Sequence, residues 1–312
     1  MAIGYDQPLF LLAFDHRRPH LARLFGVDGE PTPSETATII DAKSVIFDGF
    51  ALAIAAGAPT DTAGILVDEQ FGTAAARAAR AQGWICAVPA ERSGLSHFEL
   101  EYGDDFATHI EDLDPTFSKV LVRYNPAGDA DDNLRSIVGL QRLSHWLHAN
   151  DRRLLLELIV VATPEQLVAV DGDETRYVTE LRPGLMRRAM ADLQAAGIEA
   201  DVWKLEGIDR RDDCVMVAEQ ARAGGRDRVG CVVLGQGSDF ERVDHWLRVA
   251  AGVPGYVGFA IGRTLWWDPM THYLDGSQSR AETASQIAQR YRHAIDVYQG
   301  ASLSEDLLRP TE

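Results

Sequence analysis

With 312 residues, 46% of them hydrophobic, and a formal net charge of −17, the chain has ample material for a full globular core and repels polyanions. That balance argues against nucleic acid or an anionic membrane as a partner, because no basic run is long enough to override the field. No stretch reaches the roughly 20 apolar residues of a membrane helix.

In chain order, short apolar runs alternate with helical patterns. The N-terminus lacks a basic region and a small-residue cleavage site, so it reads as a first strand rather than a leader. Runs at 8–15, 64–69, 84–91, 119–124, 153–161, 201–206, 229–235 and 256–263 predict strands. Helical patterns occupy 34–57, 73–83, 131–150, 181–197, 210–225, 238–252 and 277–300. The first opens on Ser34 and Thr36, a capping signature, and stops at Gly57. Near-continuous apolar strands are buried on both faces, which favours a parallel sheet. The alternation predicts an α/β protein with one domain over 1–312, a single (β/α)8 TIM barrel; an open doubly wound sheet is the alternative. The longest irregular stretch, 91–117, is expected to form a rim hairpin or a lid. Cys86, Cys214 and Cys231 form no CxxC pair and point to free thiols in a reducing, cytoplasmic setting.

The choice of cations is uneven. Of 30 Lys plus Arg, only Lys43, Lys119 and Lys204 are lysines. Lys204 lies in DVWKLEG, inside an apolar strand, and Glu157 lies in LLLELIVV, one strand earlier. A lone carboxylate amid aliphatics costs several kcal/mol, so Glu157 is expected to face the barrel interior with a partner. The pair has two readings: an ion pair that fixes strand register, or amine catalysis. A lysine in an apolar, electropositive pocket gives up its proton more readily and can condense with a ketone, and a carboxylate beside it ferries protons. Arginine stays protonated and cannot do this. Lys119 opens the fourth strand and is either a second active-site cation or a solvated strand start; Lys43, in a helical pattern, is expected to be structural.

In a barrel the active site sits at the C-terminal ends of the strands. Those ends place Asp15, Arg17, Asp68 and Arg123 at the mouth, and LGQGSD and FAIGRT place Gly235, Gln236, Gly237, Gly262 and Arg263 where a phosphate is usually held. GQGSDF lacks the third glycine of a dinucleotide fingerprint, Phe240 standing in its place. His16 and His20 follow the first strand without a third ligand, so no metal and no cofactor is expected.

The segments FLLAFDHR, GILVDEQFG, AVPAERSGLSHFELE, SKVLVRYNP, LLLELIV, DVWKLEG and GFAIGRTLWW together resemble the class I, Schiff-base aldolases of the tagatose-1,6-bisphosphate aldolase type. The chain is most similar to the aldolase-like domain of inositol catabolism that acts on 2-deoxy-5-keto-gluconate-6-phosphate. The resemblance, over about residues 8–298, implies Lys204 as the Schiff-base lysine and Glu157 as the proton-shuttling acid. It also implies Lys119 as the second lysine, Asp15 as the strand-one aspartate, and Gly262 with Arg263 at the phosphate. The implied cleavage gives dihydroxyacetone phosphate and malonate semialdehyde, with Arg17 or Arg123 on the substrate carboxylate. DEQFG departs from the DPEYG of the tagatose enzymes, which counts against a bisphosphate. Another Schiff-base aldolase, for tagatose bisphosphate or a sulfo-sugar phosphate, and a non-catalytic sugar-phosphate-binding barrel stay open. The expected partner is a small phosphorylated sugar or keto acid, with a homo-oligomer possible.

Overall fold

The computed structural model describes residues 2–17, 24–27 and 29–306, with side chains to residue 302. His20 lies outside the described residues. Eight parallel strands close a barrel in sequential order: β1 (Leu9–Ala13), β2 (Ala63–Leu66), β3 (Ile85–Pro89), β4 (Phe117–Arg123), β5 (Leu154–Ile159), β6 (Val202–Glu206), β7 (Gly230–Leu234) and β8 (Tyr256–Ile261). The predicted TIM barrel is the observed fold. Among the described residues no helix is long and apolar enough to cross a membrane. Cys86, Cys214 and Cys231 are free and buried.

Strand periodicity sorts the apolar side chains into two layers. One set, Phe10, Leu12, Leu156, Trp203 and Val233 among them, packs outward against the helices. The alternate set, Leu9, Leu11, Ala13, Phe117, Leu155, Val202 and Val232, forms a separate cluster that plugs the lumen. Two residues further along the same strands come Asp15, Lys119, Glu157 and Lys204. The polar layer therefore stands one strand repeat above a sealed apolar floor. Register fixes the key pair, since Glu157 lies directly across from Lys204.

Helix boundaries move for local reasons. The helix Pro33–Ala55 is capped by Thr32, not Ser34: Pro33 suits the first helical position, and Glu35 closes a reciprocal capping box with Thr32. The helix Glu69–Ala81 begins before the predicted 73 because Asp68 caps it, accepting from Phe71 N at 2.8 Å. The stretch after β3 is a rim hairpin: Glu91 bridges Leu100 antiparallel, and the helix Phe106–Leu113 leads into β4. At the opposite mouth, Asp201 accepts from Gly4 N and Leu154 N at 2.8 Å and contacts His148 Nε2 at 3.1 Å, so His148 is a latch far from the polar layer.

Gly207, immediately after β6, has no room for a side chain. A Cβ there would sit 2.0 Å from the Trp246 ring. Gly207→Ala is expected to destabilise the fold by about 1–3 kcal/mol through overpacking; a denaturant midpoint equal to wild type would show that Trp246 moves aside freely.

Candidate active site

A cavity of about 410 Å³ opens at the C-terminal ends of the strands. Its floor is the polar layer. Lys119, 2% exposed on β4, stands at the centre, with its Nζ 2.9 Å from Asp15 Oδ2, 3.1 Å from Glu91 Oε1 and 3.0 Å from Glu157 Oε2. The solvated strand start is thereby ruled out, because β4 begins two residues earlier and buries Lys119. Lys204, on β6, donates to the same Glu157 Oε2 at 3.0 Å.

The charges reinforce one another. Burial alone would lower the Lys119 ammonium, but Asp15, Glu157 and Glu91 outweigh it and push its pKa above the ordinary lysine range. Burial alone would raise Asp15, yet Lys119 and Lys204 reverse the sign and hold its carboxyl well below the usual range. Glu157 is likewise lowered: burial opposes, and the two lysines prevail. Glu91 goes the other way, burial raising it more than Lys119 and Arg17 lower it.

Arg17 is committed. Its guanidinium donates to Glu91 O at 2.9 Å, Glu91 Oε1 at 3.1 Å and Glu101 Oε2 at 3.0 Å, tying the rim hairpin to the end of β1. Arg123 donates only to the Leu95 carbonyl, at 3.2 Å, and pairs with no carboxylate among the described residues.

A fourth carboxylate, Glu206, follows Lys204 by one strand repeat and also lines the cavity. Arg182 and Gln236 Nε2 donate to its Oε1 at 3.1 and 2.6 Å, and Val160 N donates to its Oε2 at 2.9 Å. Burial raises its pKa despite Arg182. Gln236 adopts a left-handed backbone, φ 53°, and its carbonyl accepts from Arg263 Nη2 at 2.8 Å. Gly237 lets that guanidinium lie on the loop, since a Cβ would come within 2.7 Å of it.

Of the residues singled out in the sequence, Asp15, Arg17, Lys119, Arg123, Glu157, Lys204, Gln236, Gly237, Gly262 and Arg263 line this one cavity. Gly235 and Asp68 do not. Gly235 lies against Ile261 and Thr264, behind the loop. Asp68 is 1% exposed, and its oxygens are taken by the helix cap and by a short contact from Lys43, which leaves none for a substrate. Glu91, Glu206 and Arg182 were not foreseen as site residues. Glu206 had a signal in its two-residue step from Lys204; Arg182, in a helix, had none.

The sequence matches the family described as "Uncharacterized protein conserved in bacteria (DUF2090)" over residues 4–302. The chain belongs to that family. No curated protein matches it. Among solved structures, the DUF2090 protein is similar to fructose-bisphosphate aldolase from Plasmodium falciparum, with TM-score 0.67, 12% identity and coverage of 96% of this chain and 92% of that one. It is also similar to fructose-bisphosphate aldolase from Slackia heliotrinireducens, with TM-score 0.57, 14% identity, and 98% and 88% coverage. A third is an archaeal fructose-1,6-bisphosphate aldolase whose catalytic lysine carries the carbinolamine intermediate, with TM-score 0.57, 12% identity and 94% coverage of each chain. At these identities the likeness establishes the shared barrel.

The lowered carboxylates make stability pH-dependent with a definite sign. Asp15 and Glu157 titrate lower folded than their unfolded values of about 3.9 and 4.3. Their contribution is therefore full above about pH 5 and is lost as pH falls through the folded values. Lys119→Met leaves Asp15 without its cation, and Glu157 and Glu91 with one cation each, Lys204 and Arg17; it is expected to cost about 3–5 kcal/mol at neutral pH. The deficit should shrink as pH falls toward 4, when those groups take up protons. Urea melts of both proteins across that range check it; a deficit that does not vary with pH contradicts it.

Proposed function

We propose that this DUF2090 protein is a class I aldolase that makes or breaks a C–C bond of a phosphorylated keto sugar or keto acid through a Schiff base on Lys204. The observation that carries the reading is the asymmetry of the two lysines that line the cavity. Lys119 faces Asp15, Glu91 and Glu157 and stays a cation. Lys204 contacts only Glu157 among the described residues, at 3.0 Å, and opens onto the cavity. Its proton has one short path out, to Glu157 Oε2. The archaeal aldolase with a carbinolamine on its lysine supports the same chemistry on the same kind of barrel.

In this scheme Glu157 takes the proton of Lys204, and the neutral amine adds to the substrate ketone. Glu157 returns the proton to the carbinolamine hydroxyl, water leaves, and an iminium remains. Glu157 then removes the proton of the hydroxyl β to the iminium carbon. The C–C bond breaks, its electrons pass to the iminium nitrogen as an enamine, and an aldehyde departs. Protonation of the enamine carbon and hydrolysis of the iminium free the second product and restore Lys204. Lys119 stays positive beside Glu157 and offsets the charge that develops on oxygen. Arg263, with Gly237 and Gly262, suits a phosphate at the far end.

The resemblance favours 2-deoxy-5-keto-gluconate-6-phosphate as substrate, giving dihydroxyacetone phosphate and malonate semialdehyde. Arg123 is the cation on hand for the carboxylate, because it pairs with no carboxylate among the described residues while Arg17 is already paired with Glu91 and Glu101.

A panel of phosphorylated ketoses and this keto acid phosphate, assayed for released dihydroxyacetone phosphate, tests the reading. Lys204→Met should fall to background, Glu157→Gln should lose about 10²–10⁴-fold in kcat, and EDTA should leave the rate unchanged. Turnover surviving in Lys204→Met, or abolished by EDTA, contradicts an amine mechanism.

A further inference from the structure

The third lysine in the chain, Lys43, takes no part in that scheme, yet it is as deeply buried as the other two. It lies on the inner face of the helix Pro33–Ala55, between Ile39 and Ile46, and is 1% exposed. A lysine on the apolar stripe of a helix is costly unless its ammonium is fully paired. Lys43 Nζ donates to Phe14 O at 2.8 Å, to His16 O at 3.0 Å and to Asp68 Oδ1 in a short contact. Its three protons thus have three acceptors, an arrangement the planar guanidinium of arginine cannot reproduce at one point.

The two carbonyls it holds are those of the residues on either side of Asp15. The turn is pinned from other directions too: Phe14 N donates to Leu66 O at 2.8 Å, and Trp266 Nε1 donates to Ala13 O at 2.8 Å. Lys43 holds the backbone on both sides of the aspartate. Asp15 in turn accepts from Lys119 at 2.9 Å.

We propose that Lys43 is a positioning residue of the active site. By gripping the peptide carbonyls that flank Asp15, it aims that carboxylate at Lys119, and so fixes the cation standing beside Glu157 and Lys204. The catalytic consequence rests on the aldolase reading; the positioning of Asp15 does not.

The test is built so that the two can fail separately. The charged groups that act on Asp15 are Lys119 and Lys204 from the barrel strands, Arg17 from its own loop, Glu91 and Glu157 from the end of β3 and from β5, and Lys43 from the helix behind it. Asp68, Asp15 and Arg17 act on Lys43. The Asp15 carboxyl is followed by ¹³C NMR in aspartate-labelled protein, assigned by difference from Asp15→Asn, in wild type and in Lys43→Met. His148→Gln, at the opposite mouth, serves as the control for general destabilisation. If Lys43 positions Asp15, the titration midpoint rises by about one pH unit or more both in Lys43→Met and in Lys43→Arg, which keeps the positive charge but not the three-point grip. A rise in Lys43→Met alone reports only the lost charge and overturns the inference, and His148→Gln leaves the midpoint in place.

Borohydride trapping of dihydroxyacetone phosphate on the same proteins should slow about tenfold or more in Lys43→Met at saturating ligand, with half-saturation little changed. An Asp15 midpoint identical to wild type, or one that His148→Gln moves equally, overturns the inference. Should Lys43→Met not fold, Lys43→Gln carries the same readouts, since its neutral amide supplies only two donors. If wild type traps no adduct, the aldolase reading falls, and the Asp15 titration still decides whether Lys43 positions it.

Discussion

One ammonium group governs the geometry of this site. Lys119 sits in a nearly dry lumen among Asp15, Glu91 and Glu157, each within about 3 Å of its nitrogen. Carboxylates gathered that closely repel one another, and no such cluster persists ionised without a cation at its centre. The same cation settles the division of labour between the lysines. In the proposed reaction, because Lys119 is bound on three sides and held protonated, the nucleophile's role falls to Lys204, which shares only Glu157 with it. Glu157 joins the two, and its shared oxygen is where a proton can pass.

The surrounding structure serves to keep this cluster in place. The apolar floor of Leu11, Phe117, Leu155 and Val202 excludes water from below, so the charges act through a low dielectric. Parallel pairing of β5 with β6 sets Glu157 opposite Lys204. The rim is tied down by Arg17, which links Glu91 to Glu101 across the hairpin. On the far side, Glu206 holds Gln236, whose carbonyl holds Arg263, so that loop is anchored on the strand that carries Lys204. The helix layer contributes Lys43, through the backbone of the β1 turn.

What the sequence made legible follows from where a polar residue is unexpected. Glu157 and Lys204 stand inside aliphatic runs, so the pattern itself exposes them, and the two-residue period predicts that they face the lumen. The barrel was legible because the strands read as continuous apolar runs in regular alternation with helices. At strand ends polar residues are the rule, so nothing there separates Glu91, which completes the Lys119 cluster, from Asp68, which caps a helix. The pairing of Arg17 was not legible, because the carboxylates that meet it, Glu91 and Glu101, come from a hairpin whose closure the sequence does not dictate. Arg182 and Lys43 reach the site from helices, and only the tertiary packing reveals their targets. A lysine on the apolar stripe between Ile39 and Ile46 was nevertheless a signal of the same kind as Lys204.

In the proposed reaction Lys204 is the amine that bonds to a substrate carbonyl. The direct measurement is to reduce the protein with borohydride in the presence of dihydroxyacetone phosphate, digest it, and locate the added mass by tandem mass spectrometry. A single adduct on the peptide carrying Lys204, absent without ligand, is the predicted result. An adduct on Lys119 or Lys43, or none under conditions where the protein turns over its substrate, would contradict it.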